Sequence, residues 1–393
     1  MRVGATIFNQ HYNDWDRYEA EERGTAVPKR AVRSDREVFR EELNLARIAD
    51  ETGFDSVWTI EHHFTPYTMV TNPLQYLTYI AGITKRVHLG TMVVVLPWHN
   101  PVRVAEDVNM LDSFLGLNRE IICGVGRGLG RREYHGMGVD QNEARGRFDE
   151  SLEVLRQLLA TGQCDFEGEF YKIHGLHLRP QPEKDLSANL RCAGGTEETV
   201  QLIAKHGVPP LTVPTTSLEM ALTNMRHYAE LRQKAGHGPS HTKLALWTYV
   251  AESASEAEAG AQRYMGEYAD SALRHYELLG THLQGTKGYQ QYGELQKALR
   301  QDSSPFRQGW YRSHPWGTPD QACRRATELA NAFGADEIMF VFKYGSMPMA
   351  AAEKSMRLFA KEVMPALQEL RPEPLSVNGH ASEASVSQQQ AAR

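Results

Sequence analysis

Two adjacent histidines, His62 and His63, are the side chains of this sequence best suited to chemistry. An imidazole titrates near neutral pH, so it can act as a general base or as a hydrogen-bond donor. The alternative is that one histidine packs in the core and the other is solvated. Adjacent histidines seldom bind one metal together, and no His-Glu-x-x-His helix is present, so we predict no metal site. No Gly-x-Ser-x-Gly motif indicates a serine hydrolase.

A second set of residues could bind an anion. The run Ala193-Gly194-Gly195-Thr196 leaves a predicted strand and enters a predicted helix, where backbone N–H groups can point at a phosphate. Thr196 could add a hydroxyl donor, or it could simply cap the helix. Arg127 and Arg145 follow another strand, and each is either a planar phosphate ligand or a solvated surface charge.

These candidates follow strands in a regular alternation of strand and helix. Apolar periodicity predicts strands at 2–8, 55–60, 87–96, 120–125, 189–193, 210–213, 243–251 and 337–342. Helices are predicted at 39–52, 73–83, 101–114, 147–161, 197–206, 218–235, from 255 onward and at 350–370. Eight such pairs predict an α/β fold, a (β/α)8 TIM barrel, whose reactive side chains lie at the carboxyl ends of the strands. The first strand is not followed by a glycine-rich dinucleotide fingerprint, which favours a closed barrel over an open sheet.

Residues 1–370 are predicted to form a single domain in which three segments depart from the alternation, and a fourth segment follows it as a tail. Residues 10–36 look like a long loop, and 166–177 alternate like an inserted antiparallel hairpin. Residues 270–316 interrupt the seventh unit without clear periodicity and are predicted to form a long active-site loop, here called the lid segment. Its aromatic side chains either line an apolar pocket or pack at a subunit contact; they are Tyr276, Tyr289, Tyr292, Phe306 and Trp310. Residues 371–393 are polar and are expected to be a disordered tail.

Composition excludes several classes of function. The net charge of −6 disfavours nucleic acid as a partner, because phosphate backbones require a basic surface. The four cysteines form no Cys-x-x-Cys pair, and Cys123 and Cys192 lie in apolar runs expected to bury free thiols. No apolar run is long enough for a signal peptide or a membrane span, so we expect a cytoplasmic protein that does not bind membranes.

The spacing of several motifs resembles the bacterial luciferase family. The run GFDSVWTIEHHFT at 53–65 is similar to the segment around the catalytic histidine of the luciferase α subunit. Further similar segments are HLGTMVVVLP at 88–97, NPVRVAEDVNMLD at 100–112, RGL at 127–129, Asn142, Arg145 and VMP at 363–365. The resemblance extends over residues 1 to about 370 and is dense from 50 to 130.

This resemblance implies a two-component monooxygenase on a (β/α)8 barrel. Such an enzyme binds reduced FMN as a diffusible substrate supplied by a separate NAD(P)H:flavin reductase. O2 adds to the flavin, and the resulting peroxyflavin inserts one oxygen atom into a small organic substrate. Family members are usually dimers packed through early barrel helices, so a homodimer is expected.

The resemblance also assigns roles to individual residues. His62, the first histidine of the EHHF run, takes the catalytic position. A non-proline cis peptide is expected at Met92-Val93, against the flavin ring. The residues expected to bind the cofactor are Glu61, Met92, Val93, Arg127, Leu129, Arg145, Ala193, Gly194, Gly195 and Thr196. Gly126 replaces the reactive cysteine of luciferase, and the Trp98-His99 pair also differs, so we do not expect bioluminescence.

Two alternative functions remain open at this point. A related barrel uses a deazaflavin to transfer hydride without oxygen, although the EHHF and VVLP segments favour FMN. The chain could also be a non-catalytic flavin-binding partner subunit. Retention of His62 argues against that alternative, because a partner subunit does not need the imidazole.

Overall fold

The computed structural model describes residues 1–28, 33–214 and 218–377. Its strands are β1 (Arg2–Ile7), β2 (Ser56–Thr59), β3 (His88–Val95), β4 (Ile121–Gly126), β5 (Gln163–Glu167), β6 (Lys172–His177), β7 (Leu190–Ala193), β8 (Pro210–Thr212), β9 (Thr242–Trp247), β10 (Tyr249–Val250), β11 (Trp316–Gly317) and β12 (Ala335–Val341). Its α-helices are α1 (Trp15–Arg23), α2 (Asp35–Thr52), α3 (Pro73–Ile83), α4 (Pro101–Leu115), α5 (Arg131–Gly136), α6 (Ala144–Thr161), α7 (Glu197–His206), α8 (Leu218–Lys234), α9 (Ala254–His275), α10 (Gln290–Gln301), α11 (Ser304–Ser313), α12 (Pro319–Ala332), α13 (Met349–Glu362) and α14 (Met364–Glu369).

Eight parallel strands close into a barrel, as predicted. Their order around the barrel is β1-β12-β9-β8-β7-β4-β3-β2. Helices follow the strands and bury their apolar faces on the barrel, so strand residues are covered on both sides. All the carboxyl ends of the strands therefore meet at one rim, where the loops that carry the candidate residues converge.

Trp58 of β2 fills the interior of the barrel beneath that rim. It is fully buried with Ile122, Leu211, Ala245 and Met339. Its indole Nε1 donates to Glu337 Oε1 at 2.8 Å, which satisfies its only polar atom. Trp58 thereby forms the packed floor beneath the open rim.

Two segments for which no helix was predicted contain one. Residues 15–23 form α1, within the predicted loop 10–36, of which residues 29–32 lie outside the described part of the chain. Only Trp15 and Ala20 of α1 are buried, so its apolar stripe is too thin to be detected from sequence. Residues 131–136 form α5, which begins directly after the loop that follows β4.

The lid segment is mostly helical, so the expectation of a long irregular loop was wrong. It comprises the end of α9, then α10 and α11. A polar residue, Gln296, occupies the buried face of α10, where it accepts from Leu283 N at 3.1 Å and donates to Glu277 O at 3.0 Å. A polar residue at a buried position interrupts the apolar periodicity from which a helix is predicted, so α10 was missed.

The inserted hairpin and the chain end complete the fold. β5 and β6 pair antiparallel, as predicted. The expected tail from 371 is ordered at its start, because Leu375 is buried and its N–H donates to Ser240 O at 2.8 Å. The remainder, 378–393, lies outside the described residues.

All four cysteines lie in the described ranges and are free, with Cys123 and Cys192 buried as predicted. Among residues 1–28, 33–214 and 218–377, no helix has both the length and the apolar character needed to span a membrane.

Candidate active site

A cavity of about 360 Å3 opens at the carboxyl rim of the barrel. Volumes of roughly 300–1,000 Å3 are usual for sites that bind small molecules. Every predicted site residue except Arg145 contributes to its lining, including both His62 and Arg127. The loops after β2, β3, β4 and β7 therefore face one space, as the barrel geometry predicted.

Both ring nitrogens of His62 have hydrogen-bond partners. Its Nδ1 lies 3.0 Å from Glu133 Oε1, and its Nε2 lies 3.2 Å from the Tyr276 hydroxyl. The imidazole is 14% exposed, whereas Glu133 is almost completely buried. A carboxylate at Nδ1 favours the tautomer with hydrogen on Nδ1, so Nε2 accepts from the tyrosine.

A second imidazole, that of His275, contacts the other oxygen of Glu133. His275 Nε2 lies 3.4 Å from Glu133 Oε2 and 3.1 Å from His62 Nδ1, and its Nδ1 lies 2.7 Å from Thr65 Oγ1. Donor atoms of His62, Glu133 and His275 all lie within 4.8 Å of one another. These donor types also occur in metal sites; here a hydrogen bond joins His62 to Glu133 Oε1, and Glu133 Oε2 contacts His275 at ion-pair distance only.

Glu133 is the carboxylate of this cluster. Burial alone would raise the pKa of Glu133, but the imidazoles of His275 and His62 hold it well below its usual value. Burial lowers the pKa of His275 and so favours its neutral form. Glu133 is therefore an ionised, buried acceptor beside His62.

Glu61 is a second buried carboxylate, and it fastens the loops after β2 and β3 together. Its Oε1 lies 2.6 Å from His99 Nε2 and 3.1 Å from His63 Nε2, and its Oε2 accepts from Val95 N at 2.8 Å. Burial opposes ionisation, but His63 and His99 bring the pKa of Glu61 below its usual value. Both oxygens are engaged, so Glu61 shapes the cavity wall. His63 is buried, and its side chain contacts this carboxylate rather than the cavity.

The residues predicted to bind an anion form a group at another part of the cavity. Arg145 lies just behind the lining and donates through Nη2 to Thr199 Oγ1 at 3.0 Å and to Thr196 Oγ1 at 3.3 Å. Thr196 is the N-cap of α7, so the alternative of helix capping is confirmed. Ala193 and Gly194 line the wall, and a Cβ on Gly195 would meet no described atom within 4 Å, so its backbone is open to approach.

Arg127 is a buried cation, and the alternative of a solvated charge was wrong. The residue is only 7% exposed. Its Nη2 donates to Gly288 O of the lid segment at 2.8 Å, and its guanidinium lies 4.1 Å from the Tyr289 ring centroid. Its buried Nη1 has no hydrogen-bond partner in the described ranges. A buried donor without a partner is costly, and a bound anion would satisfy it.

The backbone of β3 contributes to the wall of the cavity. The peptide bond between Met92 and Val93 is cis, as the resemblance implied, and both residues line the cavity. Leu129 also lines it, next to Arg127.

Aromatic rings cover the remaining wall. All five lid-segment aromatics named above line the cavity, which resolves the choice left open by the sequence in favour of a pocket. Trp310 packs on Trp247 at 4.9 Å and on Tyr268 at 5.1 Å between centroids. Phe8 extends the same wall, 5.6 Å from Trp247. This part of the cavity suits an apolar molecule.

Sequence reasoning missed Glu133 and His275, and it noted Tyr276 only as a lid aromatic. Glu133 follows two arginines in GRGLGRREYHG and looks like one of several surface charges. Its position two residues inside a helix after β4 was the available signal, because that rim is where reactive residues lie.

Comparison with known proteins places the chain in a family. A family model described as luciferase-like monooxygenase matches residues 11–337. The chain is similar to an alkanal monooxygenase alpha chain from Photorhabdus luminescens, 28% identical over 344 residues that cover 86% of this chain and 94% of that protein. It is also similar to the oxygenase component of a flavin-dependent trigonelline monooxygenase from Acinetobacter baylyi, 26% identical over 351 residues, covering 85% and 91%.

Solved structures share the barrel. Monooxygenase RslO1 from Streptomyces bottropensis superposes with a TM-score of 0.72 at 23% identity, covering 93% of this chain and 100% of that one. The oxygenating constituent of 3,6-diketocamphane monooxygenase from Pseudomonas putida, in complex with FMN, has a TM-score of 0.66 at 18% identity, covering 95% and 99%. An F420-dependent secondary alcohol dehydrogenase scores 0.64 at 16% identity, covering 94% and 99%. At these identities the likeness concerns the fold alone.

The family match spans most of the chain, and the curated relatives named above are monooxygenases. The chain therefore belongs to the luciferase-like monooxygenase family and is a flavin-dependent monooxygenase.

Proposed function

We propose that this chain is the oxygenase component of a two-component system. It binds reduced FMN delivered by a separate NAD(P)H:flavin reductase and transfers one oxygen atom from O2 to an apolar organic substrate. The observation that carries the proposal is a single cavity lined by both His62 and the anion-binding residues around Arg127. We expect one molecule with an anionic tail and a reactive ring to contact both.

The residues present fit the phosphate of FMN. Arg127 Nη1 is a buried cationic donor without a partner in the part of the chain that the structure describes. Gly195 leaves the start of α7 open, and Thr196 adds a hydroxyl beside Arg145. Helix N-termini and arginines both favour phosphate, so these residues would hold the tail.

When bound, reduced flavin supplies the electrons that activate O2. The chain's own contribution is to orient the ring, exclude water and hold or move a proton. Met92 and Val93 form the wall for the ring, and the aromatic wall around Trp247 and Trp310 would hold the substrate beside it. His62 also lines this cavity, and its Nε2 contacts the Tyr276 hydroxyl. His62 is therefore the group that we assign to general acid–base chemistry.

We propose that the lid segment opens to admit flavin and closes to exclude water. Gly288 and Tyr289 contact the Arg127 guanidinium, and the Tyr289 hydroxyl donates to Gly128 O at 2.8 Å. These contacts join the lid segment to the anion-binding residues, so phosphate binding and closure would be coupled.

A homodimer and a cytoplasmic location complete the proposal. Large exposed apolar side chains cluster on two neighbouring helices, with Tyr79 on α3 and Met110 and Phe114 on α4, followed by Leu117. Exposed apolar patches of this kind support a subunit interface. Free cysteines are typical of a reducing compartment.

The cofactor is tested by anaerobic titration with chemically reduced FMN and, separately, with a reduced deazaflavin. We expect binding of FMN, followed by O2 uptake and incorporation of 18O from 18O2 into an apolar substrate from a panel of aldehydes, ketones and aromatic compounds. Binding of the deazaflavin alone, with hydride transfer and no O2 uptake, would replace the proposal with the F420-type alternative.

His62→Ala tests the catalytic assignment. The variant should bind FMN within about twofold of wild type but lose oxygen-dependent turnover by roughly 100-fold or more, as is usual when an acid–base group is removed. His135→Ala is a matched control, since His135 is an exposed histidine of α5 that does not line the cavity. Normal turnover in His62→Ala would refute the role.

A further inference from the structure

Glu133 and Tyr276 contact the two ring nitrogens of His62, Glu133 at Nδ1 and Tyr276 at Nε2. We propose that Glu133 is a positioning residue that fixes His62 as the Nδ1–H tautomer, and that Tyr276 carries protons between His62 Nε2 and molecules bound in the cavity. This inference rests on the proposed function, because it concerns the proton chemistry of the same site.

The Nδ1 side is built around the Glu133 carboxylate. Oε1 receives the His62 ring at 3.0 Å and the His63 backbone N–H at 2.9 Å, and Oε2 lies 3.4 Å from His275 Nε2. Glu133 is 1% exposed, so water does not compete for these positions. An ionised carboxylate with fixed donors cannot rotate away, and it accepts only from a protonated Nδ1.

The Nε2 side opens through a hydroxyl. Tyr276 Oη lies 3.2 Å from Nε2, and the tyrosine lines the cavity. Burial raises the pKa of Tyr276 well above its usual value, so the hydroxyl keeps its proton at neutral pH. The Tyr276 and His62 rings pack in a T-shaped arrangement with centroids 5.7 Å apart.

The proton transfers balance in both directions. As an acid, the imidazolium gives its Nε2 proton to the Tyr276 oxygen while the tyrosine hydroxyl proton moves to a bound acceptor. The imidazole becomes neutral with hydrogen on Nδ1, the tyrosine is unchanged, and the acceptor gains one proton. The reverse sequence removes a proton from a bound donor. His62 is 14% exposed, so solvent can restore its proton between cycles.

The tautomer can be measured without flavin. Protein labelled with 15N-histidine, in buffer with a chelator, gives long-range 1H–15N correlations that separate protonated from unprotonated ring nitrogens. The His62 signals are those lost in His62→Gln. We expect protonated Nδ1 and unprotonated Nε2 in wild type, and a substantial Nε2–H population in Glu133→Gln. Glu143→Gln, a change at a half-exposed carboxylate paired with Arg147, should leave the His62 signals unchanged.

Tyr276→Phe tests the relay. Enzyme-bound, chemically reduced FMN is mixed with O2, and the return of oxidised flavin is followed by absorbance. We expect the rate to fall by about 10-fold or more, with FMN affinity changed less than twofold and the His62 tautomer unchanged. Tyr264→Phe is the matched control, since Tyr264 lies on α9 outside the cavity lining.

Each outcome decides between the proposals. A wild-type His62 protonated on Nε2 would overturn the tautomer assignment whether or not any variant folds. A wild-type rate in Tyr276→Phe would overturn the relay, while loss of turnover in His62→Ala would still support the oxygenase. If wild type binds no FMN, the proposed function fails, and the tautomer result still stands or falls by itself.

Discussion

Replacing Arg127 with alanine should weaken FMN binding far more than riboflavin binding. The two ligands share the ring and differ by the phosphate, so the ratio of their dissociation constants isolates the phosphate contacts. Arg127 Nη1 is buried without a partner in residues 1–28, 33–214 and 218–377, so it can donate to a phosphate without giving up the Nη2 bond to Gly288 O.

The magnitude follows from one charge-assisted hydrogen bond. Such bonds contribute about 1.5–3 kcal/mol. At about 1.4 kcal/mol per tenfold, FMN affinity should fall roughly 10- to 150-fold. Loss of the contacts with Gly288 and Tyr289 affects both ligands alike, so that cost cancels in the ratio.

Flavin fluorescence quenching or calorimetry at fixed ionic strength measures both constants. Arg103→Ala is the matched control, because Arg103 is 72% exposed on α4 and pairs with Glu106. It should leave the ratio unchanged. If Arg127→Ala weakens both ligands equally, or neither, then Arg127 does not hold the phosphate.

Three further predictions concern stability and assembly. Glu42 is fully buried, and burial raises its pKa from 4.5 to about 7. Wild type therefore loses stability as the pH rises through this range, because the buried carboxyl ionises. The free energy of unfolding of Glu42→Gln, relative to wild type, should increase by about 3 kcal/mol between pH 4.5 and pH 8. Gly124→Ala should destabilise by about 1–3 kcal/mol, because a Cβ there would lie 2.0 Å from a backbone oxygen, whereas Gly266→Ala in α9 meets no described atom within 4 Å and should stabilise by up to about 1 kcal/mol. Phe114→Glu should convert the proposed dimer to a monomer, because it places a charge in the proposed interface.

Chemical denaturation at several pH values measures the first two predictions, and analytical ultracentrifugation measures the third. A pH-independent difference for Glu42→Gln would contradict the buried-carboxylate explanation. Equal effects of the two glycine changes would contradict the close approach at Gly124. Leu279→Glu is the control for assembly, since Leu279 is 49% exposed and belongs to the lid segment rather than to α3 or α4. A dimer that persists in Phe114→Glu would place the interface elsewhere.

The barrel was predictable because its signal is local and repeated. Apolar runs of strand length alternate with helical stripes, and parallel strands place their carboxyl ends at one rim. His62 and Arg127 could therefore be assigned to a common face without knowledge of any distance. The bounds of α3 and α7 followed equally well from Pro73 and from Thr196 as the N-cap.

The partners of His62 could not be predicted in the same way. His275 and Tyr276 are more than 200 residues away from His62 in the sequence, at the end of a helix whose position depends on tertiary packing. Glu133 looks like a solvated charge until α5 is seen to turn it inward. The helices of the lid segment were missed for a related reason, since polar Gln296 occupies a buried position.

The most direct test of the central claim is a crystal structure of the protein soaked with FMN. We predict the phosphate within hydrogen-bond distance of Arg127 and Thr196, and the ring against Met92 and Val93 with its reactive edge toward His62. A flavin bound outside this cavity, or one whose ring and phosphate cannot reach His62 and Arg127 together, would contradict the account.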